Sequence, residues 1–288
     1  MKISNEDKKF LELYSDSEYE KPSVTVDGVV LRVVDKISNN YRKLPEKKLQ
    51  VYLLKRQYPP FSNCFATPGT FIDLNYELSE TMKKCAKKKI GLENFYMEQL
   101  FTFGDKSRDP RTRVLSVSYM LLLNQEQQLF GGEWFDIDIK ESNDYQKTEN
   151  GYKNHKTVEI SLSNENTQLN NVLDITTEKN GLEEIKKVEA TLNQLAFDHI
   201  KLLYYATERL KNKIEYTDIV FNLLPEKFTL TGLKQTFEII LREPLLDANF
   251  RRKIAKMVVP TNDYDVGRGH RSSQLFEKNP HFSITNLD

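Results

Sequence analysis

Residues 65–92 read F-A-T-P-G-T-F-I-D-L-N-Y-E-L-S-E-T-M-K-K-C-A-K-K-K-I-G-L. A tight Pro68-Gly69 turn leads through a short loop into a helix. Leu78, Met82, Ala86 and Ile90 recur every fourth residue and give that helix one apolar stripe. Ser79 or Glu80 serves its first turn. Gly91 stands just past its end, where glycine adopts the left-handed backbone without a Cβ clash. Lys83, Lys84, Lys87, Lys88 and Lys89 fill the remaining surface.

The flanking chain supplies the rest of a sheet. Ser23 to Val34 is rich in β-branched residues and reads as a buried strand pair or one bent strand. Leu49 to Lys55 is a further strand, stopped by Tyr58-Pro59-Pro60-Phe61, because proline has no N–H for a ladder. Tyr96 to Gly104 and Val114 to Leu123 follow as strands, with the charged turn Arg108-Asp109-Pro110-Arg111-Thr112-Arg113 between them, and Trp134-Phe135 closes the pattern. Residues 1–21 are a charged helix or arm.

Set in register on Gly91-Leu92, the loop and helix resemble the Nudix box, G-x5-E-x7-R-E-U-x-E-E-x-G-U, where U is a bulky aliphatic. The frame agrees and the chemistry departs. Thr70 stands for the first glycine, Tyr76 for the glutamate, Lys84 for the arginine and Cys85 for the next glutamate. Lys88 and Lys89 replace the two glutamates that hold the metal in active members. Mg²⁺ takes hard oxygen ligands, and an ammonium group has no lone pair to offer it. Ordinary Nudix hydrolysis is therefore not expected. No cofactor is expected either, except Mg²⁺ if Asp73, Glu77 and Glu80 form a displaced site. The R-D-P-R-x-R-V-x-S-V-x-Y segment is similar to that of Nudix proteins that handle ADP-ribose and of their regulatory relatives.

The chain has 288 residues and no net charge, enough for about two domains with no global pull toward nucleic acid or membrane. Two cysteines are too few for a disulfide framework. The N-terminus lacks the apolar core of a signal peptide, and no apolar run approaches the ~18 residues of a membrane span. The cytoplasm is the expected compartment.

Residues 141–192 have polar flanks, and Thr157–Leu162 alternates weakly, so an inserted surface hairpin is expected there. Beyond residue 195 the rhythm turns helical. Gly232 to Arg242, behind Thr231 as N-cap, and Ala248 to Met257, behind Asp247 as N-cap, are two short helices. Phe250, Ile254 and Met257 form the buried stripe of the second. A Gly-containing loop between Val258-Val259-Pro260 and Gln274-Leu275-Phe276 completes the outline of a winged helix-turn-helix. The order L-A-F-D-H, L-P-E-K-F-T-L-T, F-R-R-K-I and G-R-G-H-R resembles that of the Nudix-related transcriptional regulators of the NrtR type.

The expected fold is α+β, a Nudix-type sandwich followed by a winged helix-turn-helix, with domains at 22–194 and 195–288. Arg56, Thr70, Arg108, Asp109, Arg111 and Arg113 are candidates for a phosphorylated ligand, since guanidinium forks match phosphate oxygens. Asp109 could equally brace an arginine of its own turn. Thr229, Thr231, Arg251, Arg252, Lys253 and Lys256, with Arg268, His270 and Arg271 on the wing, are candidates for phosphate and base edges. His199, in F-D-H, belongs to the interdomain junction. The resemblance implies a homodimer that senses ADP-ribose or a related phosphorylated sugar and binds operator DNA. The alternative is a Nudix hydrolase cleaving a nucleoside diphosphate sugar through the displaced metal site.

Overall fold

The computed structural model describes residues 4–14, 20–36, 45–124, 127–265 and 272–282. The chain runs through α1 (Asn5–Leu13), β1 (Ser23–Lys36), β2 (Glu46–Lys55), β3 (Phe65–Ala66), β4 (Gly69–Phe71) and α2 (Leu78–Ile90). Then come β5 (Tyr96–Phe103), β6 (Val114–Leu122), β7 (Glu133–Thr148), β8 (Gly151–Ser163), β9 (Gln168–Asn180) and β10 (Glu183–Leu192). The C-terminal part holds α3 (His199–Lys213), a 3-10 helix (Ile219–Leu223), β11 (Phe228–Thr229), α4 (Leu230–Leu241), α5 (Asp247–Ile254), β12 (Val258–Asp265) and β13 (Ser273–Lys278).

One mixed sheet organises the molecule, in the order β10-β9-β8-β7-β2-β1-β6-β5, with β3 on β2 and β4 on β1. β1 runs parallel to β6 and antiparallel to β2. It is a single strand, not a pair. Val26 and Val30 pack against Met82, Ala86 and Ile90 of α2. Val29, Leu31 and Val33 belong to the core on the opposite face, shared with Leu203 and Tyr204 of α3. A strand covered on both faces carries apolar residues almost without alternation, which is why this stretch reads as it does. Gly91 ends α2 with φ 75°, and a Cβ there would lie 2.5 Å from the Phe130 ring.

The segment 141–192 is more than the expected surface hairpin. Four long strands, β7 to β10, form an antiparallel meander that continues the main sheet. Thr157–Leu162 does pair with the region of Val172–Ile175. Its Val158, Ile160, Leu162, Leu173 and Ile175 are buried in the core that holds α3. The polar flanks are the exposed outer ends of β7 to β10.

The C-terminal unit is a three-stranded sheet, β11-β13-β12, beside α4 and α5. Its caps differ from expectation. α4 begins earlier, with the Thr229 hydroxyl accepting from the Gly232 N–H at 3.0 Å. Thr229 ends a strand in extended backbone, the conformation an N-cap needs. Asp247 is the first helical residue of α5, and its carboxylate pairs with Lys234 rather than capping. Phe250, Ile254 and Met257 are buried as the spacing predicts. The unit is packed on the sheet: α4 lies against β2, and Gln235 donates to the Pro45 carbonyl at 3.2 Å. Arg242 at the end of α4 bridges Glu208 of α3 and Glu141 of β7. Among the described residues, no helix is long and apolar enough to cross a membrane.

Candidate functional site

Between β1, the end of β2, β4 and the first turn of α3 lies an open cleft of about 350 Å³. Its floor is built on Asp27, a buried acid between the apolar residues Val26 and Val29 of β1. Ser116 and Thr25 donate their hydroxyls to this buried carboxylate, the latter at 3.1 Å. His199 Nε2 stands 4.0 Å from Asp27 Oδ1, and His199 Nδ1 accepts the Thr67 N–H at 3.0 Å. An imidazole that accepts at Nδ1 carries its proton on Nε2, facing the carboxylate. Burial pushes the His199 pKa below its ordinary 6.5, against the pull of Asp27. Gly69 passes so close that a Cβ there would lie 1.9 Å from Asp27 Oδ1, and its carbonyl accepts from Lys89 Nζ.

The upper wall is made by the turn after β5. Arg108 is buried and forks onto Asp198, Nε at 3.0 Å and Nη2 at 2.7 Å, tying this turn to the start of α3. Arg111 forks onto the buried Asp109 at 3.0 and 2.7 Å. That hydrogen bonding holds the Asp109 carboxyl below the usual range. The guanidiniums of Arg56 and Arg111 sit 4.9 and 5.9 Å from the Phe197 ring centroid, and Arg111 is 5.8 Å from that of Phe71. Arg56 Nε also donates to the Pro60 carbonyl at 2.9 Å. Phe197 holds φ 54°, left-handed backbone uncommon for an aromatic residue, and its ring meets Phe61 edge-on at 4.8 Å. Two guanidiniums around an aromatic ring, with the Lys89 ammonium lining the same cleft, suit a flat ring joined to phosphates.

Arg56, Thr70, Arg108, Asp109 and Arg111 thus line one cleft, and Arg113 is not among its lining residues. Arg108 is committed to Asp198, so its part is to hold the wall. Asp27, Thr67, Lys89, Phe197 and His199 also line the cleft and are not among the ligand candidates read from the sequence. The one available signal was Asp27, a lone acid in the run V-T-V-D-G-V-V.

Mg²⁺ does not fit these donors. Cys85 is buried, and its thiol is pushed up to about 11 by desolvation. Lys88 and Lys89 carry ammonium groups, and Asp109 is occupied by Arg111. Asp73 accepts from Asn75, and Glu80 from the Glu77 N–H, so the displaced set serves a loop and a helix start. Among the described residues, no group of three or more His, Cys, Asp or Glu side chains converges on a metal position.

On α5, Arg251, Arg252 and Lys253 are exposed beside the buried stripe, and Lys256, expected on the same helix, is exposed in the turn that follows it. Lys253 Nζ lies 5.2 Å from the Phe237 ring centroid, and Arg252 Nη2 is 3.3 Å from Asn249 Oδ1. Thr231 is exposed on the first turn of α4, whereas Thr229 is its cap. Arg268, His270 and Arg271 lie outside the described residues.

Residues 220–277 match the model of the NrtR DNA-binding winged helix domain. The ADPR responsive transcriptional repressor NtrR of Acinetobacter baylyi is 30% identical over 272 residues, covering 93% of this chain and 86% of that protein. A MutT/nudix family protein from Enterococcus faecalis superposes with TM-score 0.64 at 24% identity, covering 95% of this chain and 93% of that one. Shewanella oneidensis NrtR, complexed with a 27mer DNA, superposes with TM-score 0.56 at 22% identity, over 89% of this chain and 94% of that one. With a Nudix-type sheet, a winged helix and a relative matched along nearly its whole length, the chain belongs to the NrtR family of Nudix-related transcriptional regulators.

Proposed function

We propose that the Nudix-type domain, residues 22–194, holds ADP-ribose or a related phosphorylated sugar without hydrolysing it. The winged-helix domain, residues 195–288, binds operator sequences in double-stranded DNA, as a homodimer in the cytoplasm. One observation carries the reading: the cleft wall includes Phe197 and His199, at the first turn of the helix that leads into the winged unit. A ligand that bears on this turn differently in two arrangements shifts the balance between them; one that binds both equally shifts nothing. The names of the relatives support the same reading, one a repressor responsive to ADPR and one solved on DNA.

The test is a fluorescence-anisotropy titration of the purified protein on a duplex selected from a random library, with and without ADP-ribose. Saturating ADP-ribose should change the DNA affinity by about 5- to 150-fold, the usual range of allosteric coupling. It should also raise the stability by ~2.7 kcal/mol at 100 times its Kd. Identical DNA isotherms in its presence and absence would overturn the proposal.

A further inference from the structure

Lys88 and Lys89 stand where the resemblance places metal-binding glutamates, and they differ in position. Lys88 is exposed and does not line the cleft. Lys89 lines it, and its Nζ donates to the Gly69 carbonyl on the floor, beside β4. An ammonium has three donors, and that bond uses one. The neighbouring arginines are more committed, and Lys55 Nζ lies 5.9 Å from the Phe65 ring centroid. Arg108 is spent on Asp198 and Arg111 on Asp109, while Arg56 gives Nε and Nη2 to backbone carbonyls. Among the described residues five cations line the cleft, Lys55, Arg56, Lys89, Arg108 and Arg111, against the carboxylates of Asp27 and Asp109 and that of Asp198 behind Arg108. That excess attracts anions and repels a divalent cation.

We propose that Lys89 is the resident cation of the cleft, its tethered ammonium taking the place of a divalent metal against a diphosphate, so that the ligand is held without Mg²⁺. This rests on the proposed function for the identity of the sugar, but not for the diphosphate. The device has a physical logic. A metal ion that neutralises a diphosphate also activates it toward water, whereas an ammonium supplies charge and hydrogen bonds alone.

Isothermal titration of the full chain with ADP-ribose, in EDTA and in excess Mg²⁺, tests it. The wild type should bind equally in both. Lys89→Ala should weaken binding about 10- to 100-fold, the value of a hydrogen bond to a charged group. Lys89→Arg should retain most of the affinity, and Lys88→Ala all of it. Lys89→Glu should lose binding in EDTA and regain part of it with Mg²⁺. Position 89 is exposed, so thermal melts should show every variant folded. Wild-type affinity in Lys89→Ala, or wild-type binding that needs Mg²⁺, overturns the inference. Inorganic pyrophosphate is the second probe. Lys89-dependent, EDTA-resistant pyrophosphate binding without ADP-ribose binding would sink the proposed function and leave this inference standing.

Discussion

Arg108 and Arg111 stand three residues apart in one turn, and their surroundings divide their work. The Arg108 side chain is 4% exposed and that of Arg111 46%. Removing one partner of a buried ion pair leaves the other charge stranded, at a cost of ~3–5 kcal/mol. Arg108→Ala should therefore lower the urea-unfolding free energy by that order. A loss below about 1 kcal/mol would mean that Asp198 finds water or another partner. His199 sets a pH dependence. Its folded pKa lies below 6.5, chiefly through burial, so in acid the unfolded chain takes up this proton first. Stability from this residue is complete above pH ~6.5 and declines as pH falls below it toward the folded pKa. Melting temperatures recorded between pH 7.5 and 5 should show this decline, and His199→Asn should flatten it. The charges of the R-D-P-R turn were legible in the sequence; their division was not. The partner of Arg108 lies 90 residues away and is chosen by tertiary packing.

At the scale of elements, legibility followed periodicity. α2 and α5 each bury one stripe and leave the rest wet, so spacing alone places both. The meander was hidden because its buried residues occupy only the inner halves of β8 and β9, between polar ends. Caps were misplaced because a cap is decided by where the preceding strand or loop stops, which propensity does not encode. Arg252 on α5 and Lys256 in the turn just past it are both exposed, and the two should act differently on DNA. If Arg252 forks onto a guanine, Arg252→Ala should cost ~1–3 kcal/mol mainly on the selected duplex. Lys256→Ala, a phosphate contact, should weaken binding to selected and scrambled duplexes alike and lower the log–log salt slope by about one. Gel shifts over a salt series measure both. No change in either variant, with the fold intact, would assign α5 to some other role.

At the scale of the whole molecule, the two families of elements are joined more tightly than a two-domain reading of the sequence implies. One buried core runs from Val29 and Leu53 of the central sheet through Val158 and Leu203 to Phe237 and Ile254 of the winged unit. Arg242, Glu208 and Glu141 clamp its edge. Elements that share a core unfold together, so calorimetry should show one transition with matching calorimetric and van't Hoff enthalpies. Two resolved peaks would show that the winged unit melts by itself. This continuity escaped the sequence because a change from strand to helical rhythm marks a change of structure, not a gap in packing.

The burial of Cys85 also bears on whether glutamates could be put back at the box positions. Lys88 and Lys89 are on the surface, and glutamates there would cost the fold little. Position 85 is 5% exposed and packs with Met82, Ala86 and Tyr119 beneath the helix. A carboxylate placed there would be stripped of water among apolar neighbours, a penalty of several kcal/mol unless it took up a proton. Lys88→Glu/Lys89→Glu should accordingly stay folded and still fail to cleave ADP-ribose with Mg²⁺, as followed by release of AMP. Adding Cys85→Glu should unfold the protein before it restores turnover. The helix works as a ratchet: two of its three missing glutamates can be put back at the surface, and the third position is closed inside the core.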